Sequence, residues 1–495
     1  MDERHLFNKY NISNEKLDLK INDLKIKNAK DLINCNRLDL IAKYIYVEAK
    51  DSGVNIEYSK ELYKAHIKAF THGEYFERGQ EDNKNSIDAF YEVFDKLIVE
   101  ISKYGFNYNI SKIPIDKNGV LIDGAHRVSI CAFYNLAIKV TKFNTEALKF
   151  NYVFFKKRML EPKYLDYIIN RYVDLKKNSI YAMCLWPCAF QKNKIVREIL
   201  DEHLSILYEK EIILNSKGAH SFIAQIYHHH DWVGSPLDKF SGAQNKADNC
   251  FGNYKSPITL FFLETDLSFL EILKLKDKIR KNVGLDKHSV HITDNFEETK
   301  QISELLLNKN SIYQLNYGSP LKFKEGVERI IKFKKYLQDN NWSLENVLVD
   351  GSCSMEMFGI RKADDVDFIS NQTIPKKEDF NQRSQSELLK LYGGRLDDLN
   401  SPESYFYYFR LKFTTLNTVF KSKENRGEKK DKKDSLLIKE FLSSNKISKR
   451  TEAIFLLNRR AMMLKRKIRL LVSKTLKALG LFKILKKMIS KINDN

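Results

Sequence analysis

The chain has 495 residues, of which 43% are hydrophobic and 12% aromatic, a composition that fits two or three globular domains and excludes wholesale disorder. Its formal net charge of +20 at pH 7 favours an anionic partner, which can be nucleic acid, an anionic membrane or a phosphate-rich substrate. No apolar stretch is long enough to cross a membrane, and the charged start lacks a secretory signal, so we expect a cytoplasmic bacterial protein with reduced cysteines.

Residues 1–70 have helical apolar periodicity and are expected to form a helical N-terminal segment. In residues 71–150, a strand, a turn and a second strand are predicted over 113–122, and they lead into Asp123-Gly124-Ala125-His126-Arg127 at the start of a helix. Gly124 frees the turn, and the helix N-terminus presents unpaired N–H groups that suit a phosphate. Arg127 can bind that phosphate through two hydrogen bonds, and His126 can contact it or move a proton.

This order of elements resembles the ParB/sulfiredoxin-like superfamily over about residues 70–145. The resemblance implies a nucleotide-binding module in which Gly124, His126 and Arg127 contact phosphate. One branch of the superfamily phosphorylates a small molecule, and the acidic residues nearest the motif, Glu77 and Asp123, are the candidate catalytic residues for that activity. The alternative interpretation is a helix-capping turn without a ligand.

Residues 151–315 are predicted to form an α/β domain of unknown type. A strand through His291 is expected to end beside a helix N-terminus, an arrangement that suits an anion. Lys246, Lys276 and Arg280 are candidates to complete that site, although lysines on an exposed helix are more often simply solvated.

The most specific chemical pattern lies in residues 316–450. The apolar run Val347–Val349 leads to Gly351-Ser352, and Asp365 and Asp367 follow in alternation with apolar residues. Alternation with period two places both carboxylates on one face of a strand, where a cation between them relieves their repulsion. Such a pair suits Mg²⁺ that carries nucleotide phosphates, and the Gly-Ser turn lets backbone N–H groups and a hydroxyl approach those phosphates.

The pattern resembles the nucleotidyltransferase superfamily over about residues 320–445. The resemblance implies a mixed sheet with helices, Mg²⁺ or Mn²⁺ held by Asp365 and Asp367 as catalytic residues, and a nucleoside triphosphate as substrate. It also implies nucleotide binding by a set of small and basic residues. These are Gly351, Ser352, Arg361, Lys423 and Lys429.

A third carboxylate on a later strand is usual in active members of that superfamily. The predicted strand over 404–416 contains none, and Asp397, Asp398 and Glu403 just before it are candidates by proximity alone. The alternative interpretation of the acid pair is a surface strand with two solvated aspartates.

Residues 451–495 are predicted to form a basic amphipathic tail. Between 453 and 493 there are twelve lysines and arginines and no acidic residue, and apolar residues recur at three- and four-residue steps. Such a helix favours an interfacial anchor on an anionic membrane, here the inner face of the cell membrane. A terminal helix packed on its own protein is one alternative, and a helix that binds nucleic acid is another.

Together these patterns predict an α/β (α+β) multidomain protein that acts as a nucleotide-dependent transferase. The expected reaction is magnesium-dependent nucleotidyl transfer to a small phosphorylated acceptor in surface polysaccharide or precursor metabolism, with the ParB-like module as a second nucleotide site or small-molecule kinase. Two alternatives stay open. One is a nucleic-acid-directed protein of partition, RNA modification or defence, and the other is a nucleotide-binding pseudoenzyme.

Overall fold

The computed structural model describes residues 22–76, 84–107, 112–375, 377, 379–393 and 397–443, together with Leu464. The described residues from 22 to 438 belong to one compact unit, and the three sheets all lie in it. This is a mixed α/β architecture, as the composition and periodicity predict. None of the described helices has the length and apolar character that a membrane crossing requires.

A three-stranded sheet with the order β1–β3–β2 organises the N-terminal part, with β1 antiparallel and β2 parallel to the central strand. Its strands are β1 (Asn22–Asn28), β2 (Ile113–Ile115) and β3 (Ala137–Lys142). The helices of this part are α1 (Asp39–Ser52), α2 (Ile56–Thr71), α3 (Ile87–Tyr104) and α4 (Ala125–Phe133).

Two local expectations need correction here. The segment 1–70 is helical over α1 and α2, but Asn22–Asn28 is a strand because it pairs with β3 more than 100 residues later. The predicted strand at 120–122 is reduced to a single bridge between Ile115 and Leu121, and β2 instead pairs with β3.

The middle of the unit contains a four-stranded antiparallel sheet with the order β5–β6–β4–β7. Its strands are β4 (Ile180–Leu185), β5 (Ser205–Ile212), β6 (Ile258–Glu264) and β7 (Val290–Ile292). The helices around it are α5 (Tyr152–Lys157), α6 (Pro162–Leu175), α7 (Asn193–Asp201), α8 (Ser216–Ile226), α9 (Ser241–Phe251), α10 (Phe269–Val283), α11 (Phe296–Leu306) and α12 (Lys309–Tyr317). Strand β6 is buried on both faces from Ile258 to Leu263, which explains the apolar run from Leu260 to Leu263.

The C-terminal sheet is five-stranded and mixed, with the order β10–β9–β8–β12–β11. Its strands are β8 (Val347–Val349), β9 (Val366–Ser370), β10 (Phe380–Gln382), β11 (Tyr405–Tyr408) and β12 (Leu411–Thr414). Its helices are α13 (Lys324–Asp339), α14 (Ser352–Met357), α15 (Gln385–Tyr392), α16 (Leu416–Arg426) and α17 (Lys429–Ser443).

The register of this sheet gathers polar residues at the end of β8. Val349 pairs with Phe368 on the antiparallel strand β9 and with Phe413 on the parallel strand β12. One step further along, the backbone N–H of Asp350 donates to the carbonyl of Asp367 at 2.8 Å. Asp350 therefore lies between Asp367 and Thr414, at the same edge.

Candidate functional site

The turn after β8 brings the predicted Gly-Ser motif against the predicted acid pair. Gly351 has φ +67°, in the left-handed region that glycine adopts without strain. A Cβ built on it would lie 3.4 Å from Nη2 of Arg383 and 4.0 Å from Oδ2 of Asp367. Ser352, half-buried, begins α14 directly after the turn. The structure thus places Gly351 and Asp367 side by side although they are distant in sequence.

The cation beside the carboxylates is an arginine that the sequence patterns did not indicate. Nη2 of Arg383 donates to Oδ2 of Asp367 at 2.8 Å, and Nε lies 3.7 Å from Oδ2 of Asp350. Its Nη1 lies 3.5 Å from Oε1 of Glu387. Asp365 has a separate partner, since its Oδ2 accepts from Nδ2 of Asn381 at 2.7 Å.

Asp350 adds a third carboxylate to this edge of the sheet. We call Asp350, Asp365 and Asp367 together the carboxylate row. Asp350 is buried, and its Oδ1 accepts from the hydroxyl of Tyr392 at 2.5 Å and from Oγ1 of Thr414 at 3.1 Å. These two donors fix its position. An acidic residue immediately before a Gly-Ser turn is the sequence signal that indicates this third carboxylate.

On β12, the strand expected to carry the third carboxylate, a threonine lies beside Asp350. Thr414, the last residue of β12, occupies the place beside Asp350 and also lies 3.0 Å from the hydroxyl of Ser354. Of the residues proposed by proximity, Glu403 accepts from Lys163 and Lys309 at 3.0 and 3.1 Å. The side chains at 397 and 398 lie outside the described part.

The carboxylate row carries more negative charge than Arg383 balances. Burial raises the pKa of Asp367 to about 6; Arg383 opposes this shift, and repulsion from Asp365 and Asp350 adds to it. A nearby divalent cation would stabilise a carboxylate whose ionised form is disfavoured by burial and by neighbouring acids. The described residues contain no preformed cluster of three metal-ligating side chains. Proteins commonly hold Mg²⁺ with one or two carboxylates, and substrate phosphates complete its coordination. Asp365 and Asp367 provide two such carboxylates.

The basic residues implied for phosphate binding are engaged in ion pairs. Arg361 donates to both oxygens of Asp434 at 2.8 and 3.0 Å. Lys423 lies 3.2 Å from Asp431 and 2.8 Å from Asp434. Arg426 in turn binds both oxygens of Asp431. This network joins α16 to α17, and the side chain of Lys429 lies outside the described part.

The N-terminal motif also assembles as a unit. Gly124 has φ +90°, and a Cβ on it would lie 2.9 Å from Cδ1 of Ile113 and 3.1 Å from Nη2 of Arg127, so the guanidinium folds over the turn. Burial lowers the pKa of the Arg127 guanidinium, and attraction by Asp123 opposes this shift. Glu77 lies outside the described residues.

His126 is enclosed by aromatic groups at the start of α4. Its Nε2 lies 2.8 Å from the hydroxyl of Tyr63, and its ring centre lies 4.6 Å from that of Phe94. Burial, then repulsion from Lys43 and Lys84, holds the pKa of His126 well below its usual value. The imidazole is therefore neutral at pH 7, so it would contact a phosphate as a hydrogen-bond donor and not as a cation.

In the middle sheet, the predicted neighbours of His291 do gather around it. His291 is buried on β7, with Nδ1 3.0 Å from the hydroxyl of Tyr227. Burial lowers its pKa to about 3, and the positive charges of Lys276, Lys246 and Arg280 contribute further. Acids are present as well, since Nε2 of His291 lies 3.7 Å from Oε2 of Glu298 and Nζ of Lys276 lies 3.1 Å from Oδ1 of Asp294. The predicted anion site at His291 therefore stays a prediction.

Comparison of the chain with protein-family models, with curated proteins and with solved structures found no match.

Proposed function

We propose that the chain is a nucleotide-dependent transferase that moves a nucleotidyl group from a nucleoside triphosphate to a small phosphorylated acceptor. The observation that carries the proposal is the carboxylate row beside the Gly351 turn. It combines three features that phosphoryl chemistry requires, namely clustered acids, a close backbone approach and an adjacent arginine.

In this proposal Asp365 and Asp367 hold Mg²⁺ or Mn²⁺, which supplies charge neutralisation at the triphosphate. Asp350 is fixed by its two hydroxyl donors and keeps the edge of the sheet negative and in register. Arg383 neutralises Asp367 in the free protein and is placed to turn to the phosphates once that carboxylate has a metal partner. Gly351 and Ser352 offer the backbone and the hydroxyl for phosphate contact.

The reaction is an in-line displacement. An oxygen of the acceptor phosphate forms a new bond to the α-phosphorus of the triphosphate. The bond between that phosphorus and the bridging oxygen breaks, and pyrophosphate leaves. The product is an activated precursor of the kind that surface polysaccharide assembly consumes.

A second nucleotide site is proposed at Gly124, His126 and Arg127. The observation that favours it is the guanidinium of Arg127 folded over the Gly124 turn, with Lys43 and Lys84 near His126. This module would bind nucleotide or phosphorylate the small acceptor before nucleotidyl transfer, with Asp123 or Glu77 as the acidic residue.

A screen of nucleoside triphosphates with Mg²⁺, reading pyrophosphate and nucleoside diphosphate separately, tests both sites. We expect Asp367→Ala to abolish pyrophosphate release and Arg127→Ala to abolish diphosphate release. The exposed neighbour Asp364 provides the matched control, and Asp364→Ala should retain both activities.

The same screen decides between the alternatives. Nucleotide binding without either product, across many acceptors, would refute the transferase and favour a pseudoenzyme. Tight retention on a polyanion with a steep salt dependence would favour the nucleic-acid-directed protein.

A further inference from the structure

A cavity of about 540 Å³ lies against the five-stranded sheet, between that sheet and helices α1, α2, α6 and α15. This volume is typical of small-molecule sites. Strand residues Leu348, Ile369, Lys412 and Tyr407 form its floor.

The floor of the cavity belongs to the same face of the sheet as the carboxylate row. Leu348 pairs with Ile369 and with Lys412. Alternate residues of a strand share a face, so Leu348 is on the face of Asp350 and Ile369 is on the face of Asp367. Two residues along a strand span about 7 Å. The cavity therefore begins two residues along the strands from the carboxylates.

Helix α15 bounds both places. Gln385 and Leu388 line the cavity, and Tyr392 at the end of the same helix donates to Asp350. A molecule in the cavity and a group at the carboxylate row would contact one continuous surface.

The charges around the cavity are balanced within the protein. Three cationic and three anionic side chains line it, and they form ion pairs with each other. The pairs are Arg171–Glu48 at 2.6 Å, Lys300–Asp174 at 2.8 Å and Lys412–Glu345 at 2.8 Å. Such a lining favours a neutral ligand, because an ion would have to displace an existing partner.

Neutral hydrogen-bonding groups fill the rest of the polar lining. They include Ser59, Tyr167, Asn170 and Tyr407. The hydroxyl of Ser59 is buried, with 1% of the residue exposed, and it has no hydrogen-bond partner within the described structure. Nε of Arg171 is likewise buried without an acceptor in that part of the chain. Buried groups of this kind are satisfied when a ligand supplies hydroxyls.

We infer that this cavity binds a neutral, polyhydroxylated small molecule, namely the sugar or polyol part of the acceptor. The role as acceptor pocket rests on the proposed nucleotidyl transfer, whereas the binding itself does not. The rings of Tyr167 and Tyr407 belong to the lining and suit the apolar surface of a sugar. The hydroxyl of Ser59 and Nε of Arg171 are the unpartnered groups that its hydroxyls would meet. The phosphate of the acceptor would extend along the sheet toward Arg383.

The test is direct binding followed by turnover, both with the full chain. Glucose, N-acetylglucosamine, ribitol and glycerol are titrated by calorimetry and by saturation-transfer NMR, in parallel with citrate and spermidine as anionic and cationic probes. We expect at least one of the neutral compounds to bind. Its Kd should rise at least about tenfold in Ser59→Leu, which fills the cavity and removes the unpartnered hydroxyl.

Ser52→Trp is the second cavity variant, because Ser52 lines the cavity at an exposed helix end where folding tolerates the change. Its matched control is Ser102→Trp, on an exposed face of α3 outside the cavity. Asp364→Ala, at an exposed residue outside the cavity, should leave polyol binding unchanged.

The outcomes separate the two proposals. Binding of a neutral polyol that depends on Ser59 and Ser52, without pyrophosphate release, would retain the pocket and refute the transferase. Pyrophosphate release that needs Asp367 but tolerates both cavity variants would retain the transferase and overturn the pocket. Binding of only the charged probes, or of none, also overturns the inference.

Discussion

Replacing Asp367 by asparagine should stabilise the fold above about pH 6 while removing a candidate metal ligand. The pKa of this carboxyl rises from 3.8 to about 6, mainly through burial, although Arg383 opposes the shift. Each pKa unit corresponds to about 1.4 kcal/mol, so the ionised carboxylate costs the folded state at most about 3 kcal/mol. Its side chain is only 19% exposed, so solvent screens little of this energy.

The direction of the pH dependence of stability follows from the protons that the folded and unfolded chains bind. Between about pH 4 and pH 6 the folded chain keeps the Asp367 proton that the unfolded chain has released, so stability falls as the pH rises through this window. Asparagine does not ionise and removes that slope. Arg383 keeps Glu387 and Asp350 as partners in the variant.

Urea denaturation of both proteins at about pH 4 and pH 8 measures the effect. We expect a gain of about 1 to 3 kcal/mol at the higher pH and little difference at the lower. The exposed control Asp364→Asn should stay within about 0.5 kcal/mol of the wild type at both. A variant that is no more stable than the wild type at pH 8, with an unchanged pH profile, would show that Arg383 compensates the carboxylate completely.

Thr414→Val removes a hydroxyl that donates to buried Asp350 and should lower the free energy of unfolding by about 1 to 3 kcal/mol in urea, whereas Thr414→Ser should not. Arg37→Met leaves buried Asp39 without its bidentate partner at 2.8 Å. The expected loss by the same assay is about 3 to 5 kcal/mol, and equal stability would mean that nearby charges suffice. Deletion of 453–495, of which the structure describes Leu464 alone, should abolish flotation with anionic liposomes; unchanged flotation would exclude the proposed peripheral anchor.

The parts of the site that could be predicted are those fixed by short stretches of sequence. A glycine turn after an apolar run and an alternating acid pair are local patterns, and Gly351 and Asp367 do lie together. Arg383 could not be found in this way, because its position depends on the parallel pairing of β10 with β9. That pairing has no local signature.

The same limit explains the errors in the fold. Helical periodicity described α1 and α2 correctly, but it could not show that Asn22–Asn28 has a strand partner in β3. For Arg361 and Lys423, the sequence displayed the positive charges and also the acids at 431 and 434. Only the packing of the helices shows that these charges satisfy each other.

Helix α15 physically connects the cavity to the carboxylate row. Its first turns border the cavity and its last residue holds Asp350, so a molecule that tightens or shifts the helix changes the surroundings of the carboxylate row. Linkage is reciprocal, so under the proposed function a nucleotide at the row and a polyol in the cavity would change each other's affinity by the same factor. The strength of that coupling would then be a property of eight residues, Gln385–Tyr392.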